Sequence, residues 1–188
     1  MSALQAAVPA LWILWVLIWV WSARAVKRAR RRESPASRAA HVIPLAVVTV
    51  LLALPSLPGW LGERCIGPGA TTATVALVLV AGGLAFSVWA RAVLGGNWSA
   101  SVTLKDGHEI VRSGPYRWVR HPIYTGLIVA IVGSALARGE WRGVVAIAIA
   151  TAALWRKLRM EERWLTEEFG QRYADYRKQT RALIPFIL

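Results

Sequence analysis

The sequence predicts an all-α, polytopic membrane protein, and three observations carry that expectation. Hydrophobic residues fill 56% of the 188 positions, and 11 of them are Trp. They fall in long blocks rather than in amphipathic alternation, the pattern of membrane spans. Finally, 20 of the 23 Lys and Arg lie in three segments beside those blocks, as on the cytoplasmic side of a membrane protein. The net charge of +13 follows from that topology and does not call for a nucleic-acid partner. About five transmembrane helices are expected, including a short C-terminal hairpin, followed by a cytoplasmic amphipathic tail helix. A chain of this length makes one unit, 1–188, with three spans in 1–94 and a polar, motif-bearing half in 95–188.

The first span runs from about Val8 to Val26 and carries Trp12, Trp15, Trp19 and Trp21. Trp rings favour membrane interfaces and helix packing, and a lipid-like ligand is the alternative use for such a cluster. The basic run Arg24, Lys27, Arg28, Arg30, Arg31, Arg32 and Arg38 follows the span instead of preceding it. It therefore reads as a topology determinant, with attraction to anionic headgroups, and not as the start of a removable signal peptide. The second span covers about His41 to Leu61, where Pro55, Pro58 and Gly59 end it. The lone Cys65 allows no internal disulfide and no thiol–metal cluster, and no metal is expected. The third span covers Ala70 to Leu94, with Gly82–Gly83 permitting close helix approach.

A polar, basic loop, Gly95 to Arg120, leads to two shorter apolar runs, Ile123–Ala137 and Gly143–Trp155. Each gives about 22 Å of helix against a core of about 30 Å, so each spans only if its polar flanks extend it. A tight hairpin would return Glu161 to the membrane face that carries Arg120. In the tail, Leu165, Phe169, Tyr173 and Tyr176 make one apolar stripe of a helix that Gly170 weakens and Pro185 ends. Asn97-Trp98-Ser99 fits a glycosylation pattern, but its loop is expected on the cytoplasmic side. The far side keeps only Arg64, Arg138 and Arg142, which places the N-terminus outside and the C-terminus inside. The Ala-, Val- and Arg-rich composition suits a bacterial cytoplasmic membrane.

Ionisable groups crowd the ends of the two short runs: Arg120-His121-Pro122-Ile123-Tyr124-Thr125-Gly126 before the first and Glu161-Glu162 after the second. Charges this close to membrane depth are costly and point to a functional site. Pro122 fits the first turn of a helix and holds His121 just outside it, where the helix N-terminus favours an anionic group. Glu161 and Glu162 could also pair with neighbours on a solvated helix, Glu161 with Lys157 by its spacing.

From about His108 onward the chain resembles the isoprenylcysteine carboxyl methyltransferase family. The resemblance rests on His108-Glu109-Ile110-Val111-Arg112-Ser113-Gly114-Pro115-Tyr116, the Arg120–Gly126 stretch, Glu161-Glu162, and Phe169-Gly170-Gln171-Arg172-Tyr173-Ala174-Asp175-Tyr176. It implies an integral-membrane methyltransferase that uses S-adenosyl-L-methionine on a lipophilic acceptor taken from the bilayer. It implies cofactor contacts at His108, Glu109, Ile110, Val111, Tyr116, His121, Pro122, Ile123, Tyr124 and Glu161. Arg120 and Tyr124 are the candidate catalytic residues. Lys157 stands where the family usually has an arginine for the substrate carboxylate. Lysine keeps the charge but lacks the planar fork, so Arg156 or Arg159 are alternatives.

A carboxylate acceptor is already an anionic nucleophile and needs orientation and desolvation. An amine acceptor would need a base, and His108, His121 and Glu109 are the nearby candidates. A carboxylate such as a prenylcysteine or isoprenoid acid is the favoured expectation, with a phospholipid amine as the alternative. Two further alternatives are a sterol-reductase-like NADPH enzyme and a non-catalytic scaffold. The reductases resemble the Arg-His…Tyr-x-Gly stretch but usually carry Asn and Asp where Ile123 and Leu127 stand.

Overall fold

The structure is a computed structural model and describes residues 3–25, 29–98, 101–105 and 109–184. Six α-helices dominate it: α1 (Ala3–Ser22), α2 (Pro35–Ala53), α3 (Ala70–Leu94), α4 (Pro122–Arg138), α5 (Trp141–Phe169) and α6 (Gln171–Gln179). α2, and α3 with the turn that follows it, are long and apolar enough to cross a membrane. The outward faces of α1 and α2 are apolar, with Ile13, Leu17, Val42 and Ile43 exposed, which suits lipid contact.

The first two helices start and stop earlier than expected: α1 runs Ala3–Ser22 instead of about Val8 to Val26. α2 begins at Pro35 and stops at Ala53, because Ser34 caps it by accepting the Ser37 N–H and proline at the first position starts helices well. The fold is mostly helical, as expected, with one small addition. The segments β1 (Ala29–Arg32) and β2 (Thr103–Lys105) pair as a short antiparallel ladder. The discounted Asn97-Trp98-Ser99 pattern ends on Ser99, which lies outside the described residues, as does Pro185.

The α1–α2 connection, carrying β1, is fastened across the polar face. The buried Glu33 side chain accepts the backbone N–H of Val102 and the Ser37 hydroxyl. Arg30 pairs with Glu168, and Arg31 with Glu167 at 2.8 Å. Glu33 also lies 3.4 Å from the ring of buried His41.

α3 and α4 cross in close contact. Gly83 and Gly126 face each other backbone to backbone, and a Cβ built on Gly133 would lie 2.7 Å from the Ala76 carbonyl oxygen. Small residues at a crossing let the main chains approach, and that dispersion contact holds helices together where lipid removes the usual hydrophobic drive. Of the Gly82–Gly83 pair only Gly83 serves this contact; a Cβ on Gly82 would meet nothing.

α4 and α5 form the hairpin, joined by Gly139 in the left-handed region (φ +65°) and by Glu140. Arg138 and Arg142, expected as outside charges, donate to the Leu52 and Leu54 carbonyl oxygens at 2.8 Å each. They satisfy the open carbonyls at the C-terminus of α2. α5 does not stop with its apolar run. It continues as one helix to Phe169, which carries Glu161 and Glu162 into the polar face.

The tail is two helices instead of one. Gly170 adopts φ +51° and separates α5 from α6, a turn that glycine makes at no steric cost. Beyond α6 the chain returns beneath the start of α4. The backbone N–H groups of Arg120 and His121 donate to Arg181 and Ala182 at 2.8 and 3.0 Å, and the Thr125 hydroxyl donates to Leu183 at 2.7 Å.

Candidate active site

A cavity of about 280 Å³ opens between the start of α4, the polar end of α5, α6, and the loop before α4. Pro122 sets the first turn of α4 and leaves His121 as the capping position. The ring of His121 stacks on that of Tyr124 at 5.5 Å. Tyr124 donates its hydroxyl hydrogen to Glu161 Oε1 at 2.6 Å. The sequence separation of those partners is 37 positions, and the hairpin removes it.

His121 sits between both glutamates, with Nδ1 3.5 Å from Glu161 and Nε2 3.4 Å from Glu162. These are electrostatic contacts longer than a well-formed hydrogen bond. Burial disfavours the charged imidazole, but the two carboxylates outweigh it and raise the His121 pKa. Glu162 shows the converse: burial alone would raise its pKa, but His121 and Arg120 bring it down to about 2. Glu161 is also lowered, its burial outweighed by His121 and Lys157.

Glu161 and Glu162 therefore divide the work. Glu161 keeps its side chain 22% exposed and lines the cavity. Glu162 is buried and receives Arg120 Nε at 2.6 Å, with Arg177 at 3.6 Å. The alternative that Glu162 pairs loosely on a solvated helix does not hold: it is the hub that ties α6 to the start of α4.

Arg120 is likewise committed. Besides Glu162, its guanidinium donates to the Thr180 and Arg177 carbonyl oxygens, which fits positioning better than catalysis. Lys157 is buried, lines the cavity and lies 5.5 Å from the Tyr124 ring centre. Arg156, the other expected substrate residue, points elsewhere: it donates to the Ser37 carbonyl oxygen at 3.1 Å at the start of α2.

Glu109, Ile110, Val111, Tyr116 and Ile123 join the cavity wall. Pro122 does not; it is fully buried in the turn that aims its neighbours. His108 lies outside the described residues. The backbone of 109–112 makes no backbone–backbone hydrogen bond to another described residue outside helices and strands. Tyr176 anchors α6 through its hydroxyl, which donates to the Tyr116 carbonyl oxygen at 2.6 Å.

Part of the wall comes from residues without a sequence motif. Trp15 and Trp19 of α1, Leu45 of α2, Trp98 and Trp164 all face the cavity. The Trp cluster was legible as a feature, and its rings both pack against neighbouring helices and line the cavity. Trp12 and Trp15 donate their ring N–H to Ser134 and Ser87 at 3.0 and 2.8 Å, so the same helix packs and lines.

The sequence model of the isoprenylcysteine carboxyl methyltransferase (ICMT) family matches residues 74–167, half of the chain. The chain belongs to this family. The match spans α3 through most of α5, and so takes in a helix that precedes the resembling blocks and stops short of the tail block. A probable protein-S-isoprenylcysteine O-methyltransferase of Oryza sativa subsp. indica is 32% identical over 87 residues, 44% of each chain. A protein-S-isoprenylcysteine O-methyltransferase of Schizosaccharomyces pombe is 34% identical over 92 residues, 47% of this chain and 37% of its own. A steroid 5-alpha-reductase of Solanum lycopersicum is 30% identical over 113 residues, 60% of this chain and 41% of its own. These matches thus cover less than half the length of each of those relatives. A solved eukaryotic intramembrane Ras methyltransferase ICMT superposes with a TM-score of 0.53 at 25% identity, covering 84% of this chain and 55% of that one.

Proposed function

We propose that this protein is an integral-membrane methyltransferase that moves a methyl group from S-adenosyl-L-methionine to a carboxylate on a lipophilic acceptor, a prenylcysteine or an isoprenoid acid. In this reading α1 to α5 are five spans, the N-terminus is outside, and the cavity and tail face the cytosol. One observation carries the reading: a ring of Tyr124, Glu161, His121 and Lys157 sits directly above an apolar wall in a chain of this family.

The residues present suit the cofactor. The part-exposed carboxylate of Glu161 is a charged acceptor for ribose hydroxyls. Ile110, Val111 and Ile123 offer an apolar slot beside the backbone of 109–112. When bound, S-adenosyl-L-methionine supplies an electrophilic methyl group. Lys157 and the flanking tyrosine hold the acceptor carboxylate by charge and shape, and Arg120 keeps the tail closed over the site. His121, held towards its protonated form by two carboxylates, makes a poor general base. That favours an acceptor that is already anionic over an amine.

The deciding experiment is cofactor binding by the purified full chain, followed by transfer of a labelled methyl group into membrane lipid. Binding of S-adenosylhomocysteine and base-labile ester label are expected. Binding of NADPH instead would move the chain to the reductase reading, and binding of neither would leave a scaffold. Cysteine-accessibility labelling at Ser2 and Leu188 tests the topology, and labelling of both from one side would overturn it.

A further inference from the structure

Three residues of the cavity's apolar wall, Trp15, Trp19 and Leu45, come from α1 and α2, outside the family-matched segment 74–167. Within it Trp15 and Trp19, one helical turn apart, stack at 4.3 Å. Trp15 is fixed through its ring N–H to Ser87. Trp19 meets Trp98 edge-on at 5.5 Å, and Trp98 carries the Arg91 guanidinium on its face. These contacts hold the rings as a rigid wall, since a buried indole N–H with a partner fixes its ring.

The wall is also short. On α4 and α5 the lining stops at Leu127 and Leu154. The next turn is packed shut by Val48, Ile131, Ala146 and Ala150, each at most 7% exposed. Glu161 to Leu154 is a rise of about 10 Å. An extended chain advances about 1.2 Å per bond, so an isoprene unit of four main-chain bonds takes about 5 Å. The apolar depth between Glu161 and the packed layer therefore matches about two such units. Trp19 is half-buried and lines the cavity from α1.

We propose that the stacked Trp15–Trp19 pair is the specificity element that limits the acceptor to a short apolar tail. This rests on the methyltransferase reading above. A tail longer than the wall meets the packed layer, and a misfit methylene costs about 10- to 200-fold in discrimination.

The test uses the full chain in nanodiscs, labelled methyl donor, and N-acetylcysteines bearing prenyl, geranyl, farnesyl or geranylgeranyl thioethers. Wild type should turn over the prenyl or geranyl compound best, with kcat/KM at least about tenfold lower for geranylgeranyl. Trp19→Ala should open the wall and move the optimum to a longer tail. Trp12→Phe, on the same helix but bonded to Ser134 below the cavity, should leave the ratio unchanged. If Trp19→Ala no longer binds S-adenosylhomocysteine, Trp19→Leu takes its place. A flat or rising wild-type profile, or an unchanged profile in a folded Trp19 variant, would overturn the proposal and spare the methyltransferase reading. No transfer to any compound by protein that still binds S-adenosylhomocysteine would overturn both.

Discussion

Two fastenings join α5 to the rest of the polar face, and both are made of arginine and glutamate. In the first, Arg30 and Arg31 of the α1–α2 connection, a strap across the polar face, pair with Glu168 and Glu167, and the arginine side chains are 55% and 49% exposed. In the second, less than two turns back along the same helix, Arg120 pairs with Glu162 and each side chain is 9% exposed. The residue types are the same but the dielectric is not. Exposed pairs gain little over hydration and are screened by salt. A nearly dry pair is costly to form, and losing one partner leaves the other charge stranded. The strap is therefore suited to letting go, and the hub to fixing where Glu161 and His121 stand.

The comparison breaks most readily at Glu162. Glu162→Ala should strand Arg120 and destabilise the protein by about 3–5 kcal/mol, read as a lowered thermal midpoint in detergent. A loss below about 1 kcal/mol would make the hub another surface pair. Glu161→Gln, the adjacent position, should spare stability but weaken S-adenosylhomocysteine binding by roughly ten- to a hundredfold, since a charge-assisted bond is worth about 1.5–3 kcal/mol. Isothermal titration reads this, and near-wild-type affinity would sink the role given to Glu161.

The hub should also respond to pH from both ends. Glu162 is lowered from 4.5 to about 2, so its contribution is present above about pH 4.5 and lost as pH falls towards 2. His121 is raised above 6.5. Its contribution is full below that value and lost as pH rises through the elevated pKa. Melting curves of wild type against His121→Asn from pH 5 to 9 should converge at the alkaline end, and parallel curves would contradict the two-glutamate clamp.

The smallest effect belongs to the strap. Arg31→Ala removes an exposed ion pair and a guanidinium 4.1 Å from the Trp164 ring centre, together about 1 kcal/mol or less. Most of that loss should vanish at 1 M salt, where the Debye length is about 3 Å. Hydrogen exchange across Trp164–Lys178 sharpens the contrast: the strap variant should leave α6 protected, and Glu162→Ala should expose it.

The sequence by itself determined the parts that depend on near neighbours. Apolar blocks and their charged flanks placed the helices, and the bounds of α3 coincide with those expected, because a span needs only its own residues and a lipid-like surround. The hairpin was legible from two short runs around a five-residue polar break, and with it the return of Glu161 to the face of Tyr124. Tertiary structure alone decided the rest. Glu161 and Glu162 are adjacent and identical in type, so no local pattern says which one faces the cavity. Helix phase and the approach of Arg120, 42 positions away, assign the open carboxylate to Glu161 and the buried one to Glu162. Arg142 was legible only as a topology charge, and the structure shows it closing the end of α2 with no exposed surface. Trp15 and Trp19 could pack or line, and only the serine of a helix 72 positions on fixes one ring so that the pair does both. Periodicity and charge pattern are properties of a segment, whereas burial and partnership belong to the space between segments.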